Sequence, residues 1–286
     1  MKIEVYKEII YVLDSNKMNE SMHFLKLKFP NISEGTLISI YSQYYHNKVK
    51  SICHKHLRNA EKYFRQYCSS ALNSNSKGFL YRQAVEHNYP PSLYARIILE
   101  QFYKHNLKQE VTKSFLSKHM KEPKQISDDI LSREVEICNQ EDDVYGPTTE
   151  KIKHETGLKY EKIVSDFLHE QNIPYAQEET LRKEGYDKTP DFKLILPISI
   201  NNYVINWIEC KALFGTEDSH KSYLENQFWS YTNRFGPGLV IYWFGYIDEL
   251  NINAERGIIL TDHLPKNIIT LEKLLDDELE NFYLSF

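Results

Sequence analysis

The stretch TPDFKLILPISINNYVINWIECK, Thr189 to Lys211, decides the fold of the second half of this 286-residue chain. Phe192, Leu194, Leu196 and Ile198 recur at every second position, which predicts a strand with one apolar face. Asn201-Asn202 are turn formers, and Tyr203 to Ile208 resumes strand character. A hairpin folded about residue 200 brings Asp191 within a residue or two of Glu209. Side chains alternate faces along a strand, so Glu209 and Lys211 point one way and Cys210 the other. Two carboxylates and an ammonium group meet at one end of the hairpin, a donor set suited to a hard divalent cation and a scissile phosphate. Each part alone is commonplace. Glu122-Pro123-Lys124 repeats the Glu-x-Lys spacing with no strand around it, and Glu and Lys on a strand usually form a solvated face. Order, hairpin geometry and apolar alternation together favour the site.

A helix is predicted on each side. From about Thr149 to Asn172, Ile152, Leu158, Ile163, Phe167 and Leu168 form an intermittent apolar stripe that Pro174 ends. On this helix Glu161 is either a surface residue or a third carboxylate facing the hairpin. From Tyr223 to Arg234, Gln227 and Tyr231 stand four apart on one face. They either fix a catalytic carboxylate or a phosphate oxygen by hydrogen bonding, or belong to an amphipathic helix whose aromatics simply pack. Gly236-Pro237-Gly238 then forces a turn. Leu239 to Tyr246 is a strand too apolar for an edge, Gly257 to Leu260 a further short strand, and Ile268 to Phe286 a closing helix. A helix, three strands, a helix and one or two more strands make an α/β domain with its site at an opening of the sheet.

Composition suits two domains or one large one, with 41% hydrophobic residues. No run of 18 apolar residues and no charged-then-apolar start is present, so neither a membrane span nor a secretory leader is expected. Cys53, Cys68, Cys138 and Cys210 lack CxxC spacing and read as free thiols. The net charge of −5 conceals an asymmetry: residues 1–120 hold 18 Lys and Arg against 9 Asp and Glu, and the remainder 17 against 31. A basic first half suits a polyanion such as nucleic acid, or a contact with the acidic half. The expected organisation is a helical region over 1–120, a connector over 121–148 containing Glu141-Asp142-Asp143 and Gly146-Pro147, and the α/β domain over 149–286.

The helical region twice shows the rhythm of a helix-turn-helix, which any small helical bundle shares. Met22 to Phe29 leads through Pro30-Asn31 to a helix capped by Ser33, with Leu37, Ile40 and Tyr41 on its apolar face. Leu80 to His87 leads through Tyr89-Pro90-Pro91 to a helix capped by Ser92, with Leu93, Ile97, Ile98 and Phe102 inward and Tyr94 and Arg96 toward a groove. Lys50, His54, Lys55, His56 and Arg58 add positive charge, the two histidines read as phosphate-facing or solvated.

The order helix with Glu161, TPD strand, Glu-Cys-Lys strand, helix with Gln227-x-x-x-Tyr231 resembles the PD-(D/E)xK nuclease superfamily. More narrowly, GYDKTPDF (Gly185 to Phe192), WIECKALFG (Trp207 to Gly215), QFWSY (Gln227 to Tyr231) and NRFGPGLVIYWFGYI (Asn233 to Ile247) resemble the codanin-interacting nuclease family. The likeness extends weakly to LISIYSQYY (Leu37 to Tyr45) and YPPSLYARIILEQF (Tyr89 to Phe102). Cys210 departs from the small polar residue expected between Glu and Lys. The resemblance implies a restriction-endonuclease-like αβββαβ core and phosphodiester hydrolysis of DNA with Mg²⁺ or Mn²⁺. Asp191, Glu209 and the Cys210 backbone carbonyl would then ligate the metal, Glu161 reaching it through water. Lys211 would orient water or neutralise charge on the phosphate, and Gln227 and Tyr231 would position a ligand or the strand. A codanin-type scaffold partner and a nuclear as well as cytoplasmic location are implied by the resemblance alone. A second class stays open: a nuclease-fold binding module that serves as a stoichiometric codanin partner. Retention of Asp191, Glu209 and Lys211 favours the enzyme.

Overall fold

In the computed structural model, which describes residues 1–73, 77–107 and 111–273, the predicted hairpin is present. Strand β2 (Phe192–Ile200) pairs antiparallel with β3 (Tyr203–Lys211), with Ile200 opposite Tyr203 and Phe192 opposite Ile208. Asn201 and Asn202 both take positive φ, 49° and 68°, as a two-residue hairpin turn of this hand requires. The register slips between Lys193 and Ile198, where Pro197 cannot donate to a ladder. Leu196, expected on the apolar face, is therefore 52% exposed, while Phe192, Leu194, Ile198 and Ile200 stay buried.

Around the hairpin the sheet runs β1-β2-β3-β4-β5, from β1 (Tyr175–Gln177) through β4 (Gly238–Tyr242) to β5 (Ile258–Thr261). β1 and β3 flank β2 antiparallel, and β4 and β5 continue parallel to β3. β4 ends at Tyr242, short of the expected Tyr246, and is buried along its whole length. Ile268–Ile269, expected to open a helix, forms strand β6 against β2 instead. Most of that expected helix lies outside the described residues.

Strand alternation divides the apolar residues between two cores. Phe192, Leu194, Ile208, Leu239 and Ile241 pack with Val164 and Leu168 of helix α9 (Pro147–Glu170). Trp207, Val240, Tyr242, Ile258 and Leu260 pack with Phe228 and Tyr231. The latter two come from a helical crossover of α11 (Glu217–Tyr223), a π-helical turn (Leu224–Phe228) and α12 (Trp229–Phe235). Gly238 is obligatory here, because a Cβ would fall 2.0 Å from Trp207 Cε2. Residues expected on α9's apolar stripe are not all buried. Leu168 is buried, whereas Ile152 and Leu158 are 56% and 51% exposed.

The chain divides into two compact units, one of Met1–Ile9, Ile32–Ile40 and residues from Glu155 onward, the other of Ile10–Asn31 and Tyr41–His154. That division differs from the one composition suggested, for two physical reasons. The chain start belongs to the sheet unit: the Met1 ammonium donates to Tyr246 O at 2.8 Å, Thr36 Oγ1 to Phe244 O at 2.8 Å, and Phe214 N to Ser39 Oγ at 2.7 Å. Most of the expected connector builds the helical core, through Ile126, Leu131, Val135 and Cys138. Asp142 of its acidic run is buried and accepts from the amides of Ser92, Val144 and Tyr145 at 2.9, 2.9 and 2.7 Å.

Along the chain, α2 (Met18–Lys28) and α5 (Phe79–Glu86) precede α3 (Glu34–Arg58) and α6 (Pro91–Leu107), as the rhythm predicted. Ser33 Oγ caps α3 by accepting from Thr36 N at 3.2 Å. Ser92, expected as a cap, lies buried within α6, and Asp142 takes its amide instead. Tyr94 is fully buried rather than facing a groove, and Arg96 donates to Ser117 Oγ at 3.2 Å and Lys113 O at 3.3 Å. Between Pro91 and Glu100, all but Leu93, Arg96 and Glu100 are buried, and those three are half-buried. α6 is a core helix. His56, expected at the surface, is buried against Tyr89 at 4.0 Å between ring centroids and bonded to Tyr63 Oη at 3.1 Å. His54, Lys50, Lys55 and Arg58 are exposed.

Candidate active site

Where β2 begins and β3 ends, Asp191 stands opposite Glu209. The Asp191 amide donates to Glu209 Oε2 at 3.2 Å, and the Cys210 amide donates to Asp191 Oδ2 at 2.7 Å. Lys211 Nζ donates to Glu209 Oε1 at 2.6 Å and to Gln227 Oε1 at 3.0 Å, and lies 4.4 Å from the Tyr223 ring centroid. The π-helical turn carries Gln227 to the lysine. Such a turn inserts an extra residue and rotates the following face. Gln227, expected to bond a catalytic carboxylate or a phosphate oxygen, accepts from Lys211 through its side-chain oxygen. Tyr231 is buried and packs edge-on against Trp207, 5.3 Å between centroids.

Burial, then the charge of Glu209, raises Asp191 well above the usual carboxylate range. Glu209 is raised as well, chiefly by burial, although Lys211 opposes the shift. For Lys211, burial acts to lower the pKa, but Glu209 outweighs it and the ammonium is held charged. Burial and then the Glu209 and Asp191 charges keep the Tyr231 phenol protonated, hence able to donate.

These groups line a cavity of about 420 Å³ together with Glu178, Arg182, Asp187, Lys188, Thr189 and Asn226. Four carboxylates face three cationic side chains there. Glu161 is half-buried on α9 and is not among the lining residues. Its charge still reaches Asp191 and Cys210, raising both. Alternation explains the difference: α9 packs on the sheet face that receives Ile208 and Cys210, opposite the face of Trp207 and Tyr231. Among the described residues, no three His, Cys, Asp or Glu side chains are disposed to hold a metal ion. The pair Asp191 and Glu209 nevertheless fits Mg²⁺ or Mn²⁺. Such ions bind through one or two carboxylates and keep several waters, and adjacent carboxylates whose pKa values are raised by burial, with the Glu209 charge adding to the rise of Asp191, are relieved by a cation.

The model of a family described as "Protein of unknown function TPD sequence-motif" matches residues 127–264. CDAN1-interacting nuclease 1 of Homo sapiens is 43% identical over 269 residues, 93% of this chain and 96% of the relative. The Xenopus tropicalis protein of the same name is 40% identical over 279 residues, 96% and 92% of the two chains. The chain belongs to the CDAN1-interacting nuclease 1 family. The Danio rerio member is 40% identical over 254 residues, 88% of this chain and 85% of its own. No solved structure matches.

Sequence reading missed Glu178 and Arg182, both on the short helix α10 (Glu178–Lys183) between β1 and β2. A signal was available. Two acidic residues open the helix, two basic residues close it, and Glu178–Arg182 and Glu179–Lys183 repeat at i,i+4. Thr189, of the TPD string itself, is buried beside them, 3.4 Å from Glu178 Oε1.

Proposed function

We propose that this protein is a PD-(D/E)xK-type nuclease that hydrolyses phosphodiester bonds of DNA with Mg²⁺ or Mn²⁺, on a restriction-endonuclease-like αβββαβ core. The observation that carries this reading is the convergence of Asp191, Glu209, Lys211 and Gln227 in one cavity. Support comes from the strand order, with an antiparallel β1-β2-β3 followed by a helical crossover into a parallel β4. The relatives carry "nuclease" and "CDAN1-interacting" in their names, which supports the activity class and a codanin-type scaffold as partner. A nuclear as well as cytoplasmic location belongs to the same proposal.

Asp191, Glu209 and the Cys210 backbone carbonyl would hold the cation, with Glu161 acting on it through water. The cation, when bound, supplies Lewis-acid polarisation of the phosphate and acidifies water. Lys211 is held charged and aimed by Glu209 and Gln227, and neutralises charge that grows on the phosphate oxygens in the transition state. Tyr231, its phenol kept protonated by burial and by the Glu209 and Asp191 charges, would position a ligand or the strand. Phe228, its ring centroid 6.0 Å from Lys211 Nζ, and Trp207 belong to the apolar core on this side of the sheet, which lowers the polarity around the lysine.

The test is cleavage of a panel of labelled linear and branched DNA and RNA, with Mg²⁺, Mn²⁺ or Ca²⁺. Asp191→Asn is expected to abolish cleavage, and Lys211→Ala to lower it roughly 10²–10³-fold while leaving metal affinity nearly unchanged. A wild-type protein that cuts nothing across the panel would replace the enzyme with a nuclease-fold module that acts as a stoichiometric codanin partner.

A further inference from the structure

The cavity's three cationic side chains are not equivalent. Lys211 is 13% exposed and committed to Glu209 and Gln227. Arg182 is exposed, and its guanidinium meets Glu178 through Nε at 2.8 Å and also through Nη2, both on the same oxygen, Oε1. That oxygen also lies 3.4 Å from Thr189 Oγ1. The pair is within electrostatic reach of the buried centre. Glu178 raises the pKa of Glu209, and Glu178 and Arg182 act on Tyr231 in opposite directions.

Two features argue that this pair does more than stabilise α10. Fully buried Leu181 already anchors the helix, and Glu179–Lys183, at 2.8 Å, supplies a second ion pair of the same spacing whose residues are not among those lining the cavity. An exposed pair at i,i+4 is weak and easily exchanged. A guanidinium, by contrast, matches two oxygens of a phosphate with parallel, charge-assisted hydrogen bonds. The Glu178 charge also keeps the cavity's carboxylates in excess until a cation or a competing contact offsets it.

We infer that Arg182 is the residue by which the cavity grips an incoming phosphodiester, and that Glu178 holds it in reserve until phosphate displaces the carboxylate. The ligand class rests on the nuclease reading; the exchange of partners does not depend on hydrolysis. No covalent step is involved: one ion pair opens and another closes.

The experiment measures binding of a fluorescein-labelled DNA duplex to the full chain by anisotropy in EDTA, so that no turnover occurs. Arg182→Ala is expected to weaken binding roughly 10-fold or more, as loss of a charged hydrogen-bonding contact does, and to reduce the salt slope by about one phosphate contact. Arg182→Lys should recover part of the loss, through charge without the fork. Glu178→Gln should tighten binding several-fold by freeing the guanidinium. In the Arg182→Ala background that gain should vanish. A gain that persists there would mean that Glu178 acts through its charge alone, and would overturn the reserve role. Unchanged affinity in Arg182→Ala would overturn the grip while leaving the nuclease reading intact. A wild-type chain that binds no DNA in EDTA would also overturn the grip, while the nuclease reading is decided separately by the cleavage panel with metal.

Discussion

The sheet unit and the helical unit both bury acidic side chains, and they do so to opposite ends. In the helical unit, Glu134 accepts from the amides of Gly78 and Leu80 at 2.7 and 3.0 Å, and Asp142 accepts from three amides. In the sheet unit, Asp191 and Glu209 face each other, accept one amide each, and share the field of a single buried lysine. Amide donors compensate a buried charge, whereas a second carboxylate opposes it. A buried acid surrounded by amides holds the fold together. A buried acid beside another acid leaves a demand that a cation can meet.

The helical unit also buries tyrosines. Of the chain's 21, Tyr63, Tyr67, Tyr89, Tyr94 and Tyr103 lie in the helical core. Tyr94→Ala should therefore be the most damaging change, at about 3–5 kcal/mol, as for other large aromatic truncations. Tyr94→Phe keeps the ring and should cost little. Circular dichroism through denaturant checks both. A stable Tyr94→Ala protein that had lost only nucleic-acid binding would restore Tyr94 to a groove-facing role. Glu134→Ala should approach this cost, since each orphaned buried amide loses about 1–3 kcal/mol.

A pH titration sharpens the comparison next. Burial lowers His220 from 6.5 to about 4, and its Nε2 has no hydrogen-bond partner. The folded state favours the neutral ring, so its contribution is complete above pH 6.5 and is lost as pH falls toward 4. The full effect is roughly 3 kcal/mol. His220→Phe should flatten that part of the stability profile, measured by melting between pH 7 and 4. An unaltered slope would place the acid sensitivity elsewhere, His56 being the next candidate because burial lowers it too.

The hairpin and its site were legible because strand alternation and an Asn-Asn turn fix side-chain direction from local sequence. Asp191, Glu209 and Lys211 needed no knowledge of distant elements. Gln227 was placed on the right helix, but its partner depended on a π-helical turn that no periodicity reveals. Glu178 and Arg182 stayed hidden on a six-residue helix too short for an apolar stripe. The helical rhythm was legible, its burial was not: α2, α3, α5 and α6 alternate with turns as predicted, yet the same pattern serves a groove-reading pair and a closed bundle. The register slip at Pro197, which exposes Leu196, and the capture of Met1 by Tyr246 depend on tertiary partners.

A smaller effect probes the site itself. With folded-state pKa values raised, Asp191 and Glu209 are most compatible with folding below the normal carboxylate range, and stability is lost as pH rises through their elevated values. Without metal at neutral pH, Asp191→Asn removes this opposition and its side-chain oxygen still accepts from the Cys210 amide. The variant should melt a few degrees higher, at about 2–4 °C for each kcal/mol relieved.

The most direct measurement is the melting temperature of the wild type and of Asp191→Asn, each with EDTA and with excess Mn²⁺. Mass action should stabilise the wild type, by about 2.7 kcal/mol at a hundred times Kd, and leave Asp191→Asn nearly unmoved. The order of stability should thus reverse: the variant above the wild type in EDTA, below it in Mn²⁺. A wild type that ignores Mn²⁺, or a variant that gains as much as the wild type does, would contradict a cation site built on Asp191 and Glu209.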